Sequence, residues 1–253
     1  MTNDSLGDRM KSFERAHRIH LPPRMPVIIR VDGKAFHQWT STCRKPFDDN
    51  LCTIMNDAAA ALCDEIQGAK LAYVQSDEIS VLVHNYETHE SQAWFDNNLQ
   101  KLVSVSAAIA AVTISRLAPE YVGIFKPAIF DGRAFVLPEA EVTNYFLWRQ
   151  QDATRNSIQM LARSLVSHKE CHGLNTNQLQ ELCWQRGKNW NDLPTKYKRG
   201  RCLIRERYEF DGAERHRWTV DNEIPIWKAE GRRYIERFFS GEPAAAEFLA
   251  VAQ

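Results

Sequence analysis

Two short acidic segments, each set at the end of an apolar run, constrain this chain more than any other feature. Asp32 closes Val27-Ile28-Ile29-Arg30-Val31-Asp32-Gly33-Lys34, and Asp77-Glu78 interrupts Leu71-Ala72-Tyr73-Val74-Gln75-Ser76-Asp77-Glu78-Ile79-Ser80-Val81-Leu82-Val83. Runs rich in β-branched and apolar residues read as strands, so each carboxylate falls where a strand leaves the core. Taken singly, Asp32 before Gly33 reads as a turn aspartate capping local backbone N–H groups. Paired with Asp77-Glu78 it reads as a site, because clustered acids are costly without a partner. Hard oxygen ligands favour Mg²⁺, and Mg²⁺ favours phosphate-bearing substrates.

The intervening chain says how the acids meet. Over residues 48–66, Leu51, Ile54, Met55, Ala58, Leu62 and Ile66 recur at helical spacing, with Asp48 or Asp49 as N-cap. Residues 71–83 read as a hairpin turning at Ser76-Asp77. A helix is expected over 91–117 with Leu99, Leu102, Val103, Ala110 and Val112 inward, then a strand over 128–137. The order is βαββαβ, the split ferredoxin-like unit of an α+β fold. In that topology the third strand lies between the parallel first and second. The end of strand one and the turn between strands two and three then share a sheet edge, which makes Asp32 and Asp77 neighbours.

Bulk properties exclude little. With 253 residues and 44% hydrophobic composition the chain can build a sizeable core, and 32 basic against 32 acidic residues give no global pull on nucleic acid. No apolar run is read as approaching the roughly 20 residues that span a bilayer, and residues 1–10 are polar rather than signal-like, so a cytoplasmic location with no membrane partner is expected. Six cysteines (43, 52, 63, 171, 183 and 202) lack any Cys-x-x-Cys pair and read as reduced thiols. His168 and His172, one helical turn apart, have no second half for a zinc site and read as structural or surface residues.

A soft boundary near Pro138 divides a catalytic domain (1–138) from a mostly helical appendage (139–253). Helices are expected over 139–166 and 178–186, the second closed by Gly187. Lys196-Tyr197-Lys198-Arg199-Gly200-Arg201 is a basic cluster with an aromatic, either a solvated turn or an RNA contact. Residues 202–210 and 217–220 read as a hairpin around Asp211-Gly212 that belongs to the appendage. From Gly241 onward there is no functional signal.

Four ordered segments carry a resemblance. Arg30-Val31-Asp32-Gly33-Lys34-Ala35-Phe36-His37, Gln75-Ser76-Asp77-Glu78-Ile79-Ser80, Phe130-Asp131-Gly132-Arg133 and Tyr145-Phe146-Leu147-Trp148-Arg149-Gln150-Gln151-Asp152 resemble the tRNA-His guanylyltransferase superfamily. With the basic Tyr197-Lys198-Arg199-Gly200 element, the resemblance runs from about residue 24 to residue 204. It implies a palm-like domain and a 3′-to-5′ nucleotidyltransferase that activates a tRNA 5′-monophosphate with ATP. The 3′-hydroxyl of an incoming GTP or other nucleoside triphosphate then attacks the activated end. It further implies two Mg²⁺ ions on Asp32, Asp77 and the Gly33 carbonyl, with Glu78 as a third catalytic acid. Nucleotide contacts are implied at Arg30, Lys34, Ala35, Phe36, His37, Lys45, Ser76 and Arg133, with a packing role also open for His37. RNA contacts are implied at Asn156, Lys196, Lys198, Arg199 and Arg201, and the assembly is a homotetramer.

One departure bears on substrate. Enzymes of the superfamily that add a single G continue the Trp-Arg-Gln-x-Asp helix as His-Ile-Asn-Asn-Leu-Tyr-Asn, whereas this chain has Thr154-Arg155-Asn156-Ser157-Ile158-Gln159-Met160. That is similar to the guanylyltransferase-like branch associated with template-directed repair of 5′-truncated tRNA. Strict tRNA-His guanylylation, a palm-type nucleotidyl cyclase and a catalytically idle RNA-binding module are the competing readings.

Overall fold

The structure, a computed structural model, describes residues 5–239; the expectation for the segment from Gly241 onward lies outside the described residues, as do residues 1–4 of the polar N-terminus. The helices are α1 (Ser5–Ala16), α2 (Phe36–Trp39), α3 (Asp49–Glu65), α4 (Leu99–Val122), α5 (Glu139–Leu165), α6 (His168–Cys171), α7 (Thr176–Gln185), α8 (Thr195–Arg199) and α9 (Arg233–Glu236). The strands are β1 (Val27–Gly33), β2 (Ala69–Gln75), β3 (Glu78–Val83), β4 (Phe130–Val136), β5 (Arg201–Phe210) and β6 (Ala213–Asp221). They form one sheet in the order β4-β1-β3-β2-β5-β6, every neighbouring pair antiparallel. Strands β1 and β2 therefore run the same way on either side of β3.

Strand alternation splits the core into two layers. Val27, Ile29 and Val31 of β1 face α3 and α4, where Ile54, Met55, Leu62, Leu102, Ala110 and Ile114 pack. Ile28, Tyr73 and Leu82 face α5, meeting Val142, Tyr145, Phe146 and Trp227. A smaller cluster joins the C-terminal half of α5 to α7 through Ile158, Leu161, Leu179 and Cys183. Helix α3 begins where expected because the Asp48 carboxylate accepts from the N–H groups of Asn50 (2.9 Å) and Leu51 (3.2 Å). The six cysteines are free thiols, and His168 and His172 are exposed.

Several expectations are corrected. The helix expected from residue 91 starts at Leu99, because Phe95, Asp96 and Asn97 all take positive φ and Asn98 caps the first turn through the Lys101 N–H. It then runs through Pro119 to an αL cap at Gly123. Its buried stripe is Leu102, Ser106, Ala110, Ile114 and Ala118, leaving Val112 exposed rather than inward. At 24 residues with mean hydropathy 1.6 over its apolar window, α4 is long and apolar enough by those measures to cross a membrane, contrary to the sequence reading. The hairpin assigned to the appendage instead extends the central sheet, with Val74 opposite Arg201 and Leu71 opposite Ile204, and its second strand starts at Ala213 rather than 217.

Candidate active site at the sheet edge

Asp32 and Asp77 come together because β1 ends beside the β2–β3 turn. On the β1–β3 ladder Asp32 lies opposite Glu78, and the Gly33 N–H donates to the Asp77 carbonyl at 3.2 Å. Gln75 pairs with Glu78, so the turn is only Ser76-Asp77, and Ser76 accepts a left-handed φ of 45° to make it. Gly33 is required by space: a Cβ there would lie 2.4 Å from the Phe36 ring and 3.0 Å from an Asp77 carboxylate oxygen. Burial, then repulsion from Asp77, Glu78 and Asp131, pushes the Asp32 carboxyl up to about 6, with Arg133 opposing. Burial also raises Asp77, against a hydrogen bond from the Ser76 hydroxyl.

Glu78 is occupied differently from the expected third catalytic acid. Arg149 of α5 clasps it with Nε at 2.8 Å and Nη2 at 2.7 Å, both partners buried, and Nη2 also reaches Asp152 at 2.8 Å. Burial alone would lower Arg149, but hydrogen bonding and charge from Glu78 outweigh it and hold the guanidinium above its ordinary value. Asp152 in turn accepts from Arg155 (2.6 Å) and Asn156 (3.4 Å). Among the described residues no group of three His, Cys, Asp or Glu side chains is arranged to hold a metal. Among the described residues Glu78, Asp131 and Asp152 each have an arginine partner, and Asp32 and Asp77 are the edge carboxylates outside those ion pairs.

A cleft of about 610 Å³ opens beside Asp77. From the acidic edge come Gly33, Ala35, Phe36, His37, Ser76 and Asp77, from the next loop Arg44 and Lys45, and from α5 Asn156, Met160, Arg163 and Ser164. Ala35 takes φ 52° and lets the chain turn into α2, whose His37 is exposed and lines the cleft. Phe36 is instead core, stacked on Trp39 with centroids 4.7 Å apart. Lys45 Nζ donates to the Thr40 carbonyl at 3.1 Å. Lys34 is exposed outside the cleft lining, and Arg30 and Arg133 pair across β1–β4 on the other side of Asp32.

The basic cluster does not act as one surface. Lys196 and Tyr197 both bond the Asp49 carboxylate, and Tyr197 stacks flat on Phe47 at 4.5 Å and 9°. Lys198 donates to the Asn191 carbonyl at 2.7 Å, and Arg199 is half-buried. Arg201, expected to contact RNA, is 2% exposed, bonded to Asn56 and, at 3.0 Å, to the Cys52 carbonyl. As the first residue of β5 it points onto α3, and burial lowers its ordinary value.

A model of the tRNAHis guanylyltransferase (Thg1) family matches residues 7–138. The chain belongs to that family. A probable tRNA(His) guanylyltransferase of Drosophila melanogaster is 32% identical over 220 residues, covering 80% of this chain and 74% of that protein. A bacterial Thg1-like protein in complex with ATP is 48% identical with a TM-score of 0.85, over 93% of this chain and 99% of its own; its complex with GTP gives 0.82 at the same identity and coverage.

Within this Thg1-family chain, sequence reasoning missed Arg44, Arg163, Asp131 and the Arg149–Asp152 network as parts of the site. Arg149 and Asp152 stood in a quoted motif, but their spacing on a helix gives no sign of a partner 71 residues away.

Proposed function

We propose that this Thg1-family nucleotidyltransferase adds nucleotides in the 3′-to-5′ direction to the 5′ end of tRNA after activating the 5′-monophosphate with ATP, in template-directed repair of truncated ends. The observation that carries it is the convergence of Asp32 and Asp77 at the rim of a cleft bearing Lys45, His37, Arg44 and Arg163. Repulsion within a half-buried acid pair and cationic groups beyond it suit a nucleoside triphosphate with divalent metal. The β4-β1-β3-β2 part of the sheet is read as the palm-like, ferredoxin-like βαββαβ unit. The likeness to a bacterial protein complexed with ATP and with GTP supports the same nucleotides here.

The residues fit Mg²⁺. Asp32 and Asp77 have raised carboxyls that a cation would relieve, the Gly33 carbonyl would be a third hard oxygen, and Mg²⁺ commonly takes one or two carboxylates with substrate phosphates. When bound, two ions would acidify the attacking hydroxyl and offset charge on the leaving phosphate. The protein's own part is positional. Gly33 lets Asp77 approach β1, Arg149 neutralises Glu78 beside the pair, and Lys45 with the cleft arginines holds triphosphate charge.

The deciding experiment supplies Mg²⁺, ATP, labelled GTP and a 5′-monophosphorylated tRNA lacking its first nucleotide. Label at the 5′ end supports the reading; cyclised nucleotide, or no incorporation, defeats it.

A further inference from the structure

The sheet face that carries Asp32 continues away from the cleft to an aromatic residue that the nucleotide site does not use. Alternation along β1 puts Arg30 and Asp32 on the same side as Ile28, which packs among Val142, Tyr145 and Phe146 of α5. Trp148, at the same level of α5, stands beside this row. Its ring centroid lies 4.4 Å from the Arg149 guanidinium and 6.0 Å from that of Arg30, with Tyr145 edge-on at 6.0 Å. Arg149 is fixed by Glu78 and Asp152, so the indole rests on an immobile support. It is nonetheless 50% exposed.

Two further arginines belong to this part of the sheet. Arg30 is 8% exposed and lies with one Nη 4.0 Å from the Glu78 carboxylate, and its Nε has no hydrogen-bond partner. Its cross-strand neighbour Arg133 is half-exposed, 3.4 Å from Asp131. Neither arginine nor Trp148 lines the cleft that takes Lys45, Ser76 and His37. The acidic edge thus has two flanks, a basic cleft on one and an arginine-bordered tryptophan on the other. In-line transfer between a triphosphate and a polynucleotide end needs two occupants on opposite sides of the reacting phosphate.

We propose that Trp148 is the stacking platform for the terminal base pair of the acceptor RNA, with the exposed Arg133 as its adjoining phosphate contact. The inference rests on the proposed RNA 5′-end chemistry. Stacking on an aromatic tolerates any base because every base has a π-face, which suits an enzyme accepting several stems. Trp148 is then a positioning residue for the RNA and has no part in nucleotide binding.

The test titrates wild type, W148A, W148F and W148L with a 5′-monophosphorylated acceptor-stem hairpin closed by a paired end, and with one whose end pair is mismatched. ATP and GTP affinity and light scattering are read in parallel. W148A and W148L should bind the paired hairpin about tenfold more weakly, on the scale of one lost base–aromatic stack, while W148F stays within a few-fold of wild type. Preference for the paired hairpin should vanish in W148A and W148L, with nucleotide affinity and oligomeric state unchanged. The phenylalanine and leucine variants carry the comparison even where W148A misfolds. Equal hairpin affinity in all four proteins overturns the proposal, as does a loss that follows a change of oligomeric state or tracks nucleotide affinity. Wild type that binds the hairpin but adds no nucleotide to any tRNA would defeat the proposed activity instead, leaving the binding comparison decisive for Trp148.

Discussion

Glu78 faces Asp32 across the β1–β3 ladder, yet its carboxylate is held by Arg149 through two hydrogen bonds of 2.8 and 2.7 Å. Four acids meet at this sheet edge, and two of them, Glu78 and Asp131, already have arginine partners. Asp32 and Asp77 would remain for the proposed cation. The same guanidinium ties α5 to the strand turn, so the ion pair fixes the helix that borders the cleft.

That relationship predicts an asymmetric mutational response. R149M leaves the buried Glu78 carboxylate without its hydrogen-bonded partner, with only Arg30 at 4.0 Å beside it, and should destabilise the fold by about 3 kcal/mol, whereas E78M with R149M should recover much of the loss. Thermal denaturation of the two single variants and the double variant measures it. Additive losses would show that the pair does not act as a unit.

The raised Asp32 carboxyl predicts a pH signature. In the metal-free protein its value of about 6 stands above the ordinary 3.8, so the folded state holds the proton more tightly than the unfolded state. Its contribution is therefore full below pH 4 and is lost as pH rises towards 6. Subtracting the D32N stability curve from wild type should show that decline, and Mg²⁺ should reverse it at neutral pH in wild type alone. A flat difference between pH 4 and 7 would remove Asp32 from the acidic pair.

The acids were legible in the sequence because strand ends and two-residue turns are local features. Asp32 and Ser76-Asp77 each sit where a run of apolar residues stops, and the βαββ order then brings them to one edge. Pairing partners are not local. Residues 202–210 alternate as a strand whichever sheet they join, and only the fold places Arg201 opposite Val74. The same placement explains the misread cation: in a run of four basic residues Arg201 looks solvated, but it opens a buried strand whose next residues, Cys202 and Leu203, are core. Arg149 was hidden for a similar reason, since a helical arginine reads as surface until its acid arrives from another element.

The basic cluster should accordingly divide in two. Replacing Lys196, Lys198 and Arg199 with Gln should weaken tRNA binding and flatten its salt dependence, because fewer counterions are released. R201Q should act on stability, since its guanidinium bonds Asn56 and Cys52 inside the fold. Binding isotherms between 50 and 200 mM salt, roughly the range over which such contacts show, separate the two. An unchanged slope in the triple variant would make α8 a structural turn, tied down by Asp49 and Asn191.

Substrate choice follows from the middle of α5. Asn156 and Met160 line the cleft, and Asn156 is bonded to Asp152, so part of the Thr154–Met160 stretch that departs from the single-G enzymes faces the proposed nucleotide cleft. A general triphosphate cleft cannot discriminate strongly among bases, whereas pairing with the opposite strand of the acceptor stem can. The incoming nucleotide should therefore follow the template base, several tRNA species should be restored, and addition should stop once the stem is complete. Varying the template base opposite a one-nucleotide gap and identifying the added nucleotide tests this. Addition of G whatever the template, or activity confined to full-length tRNA-His, would make the enzyme a dedicated guanylyltransferase despite its α5 sequence.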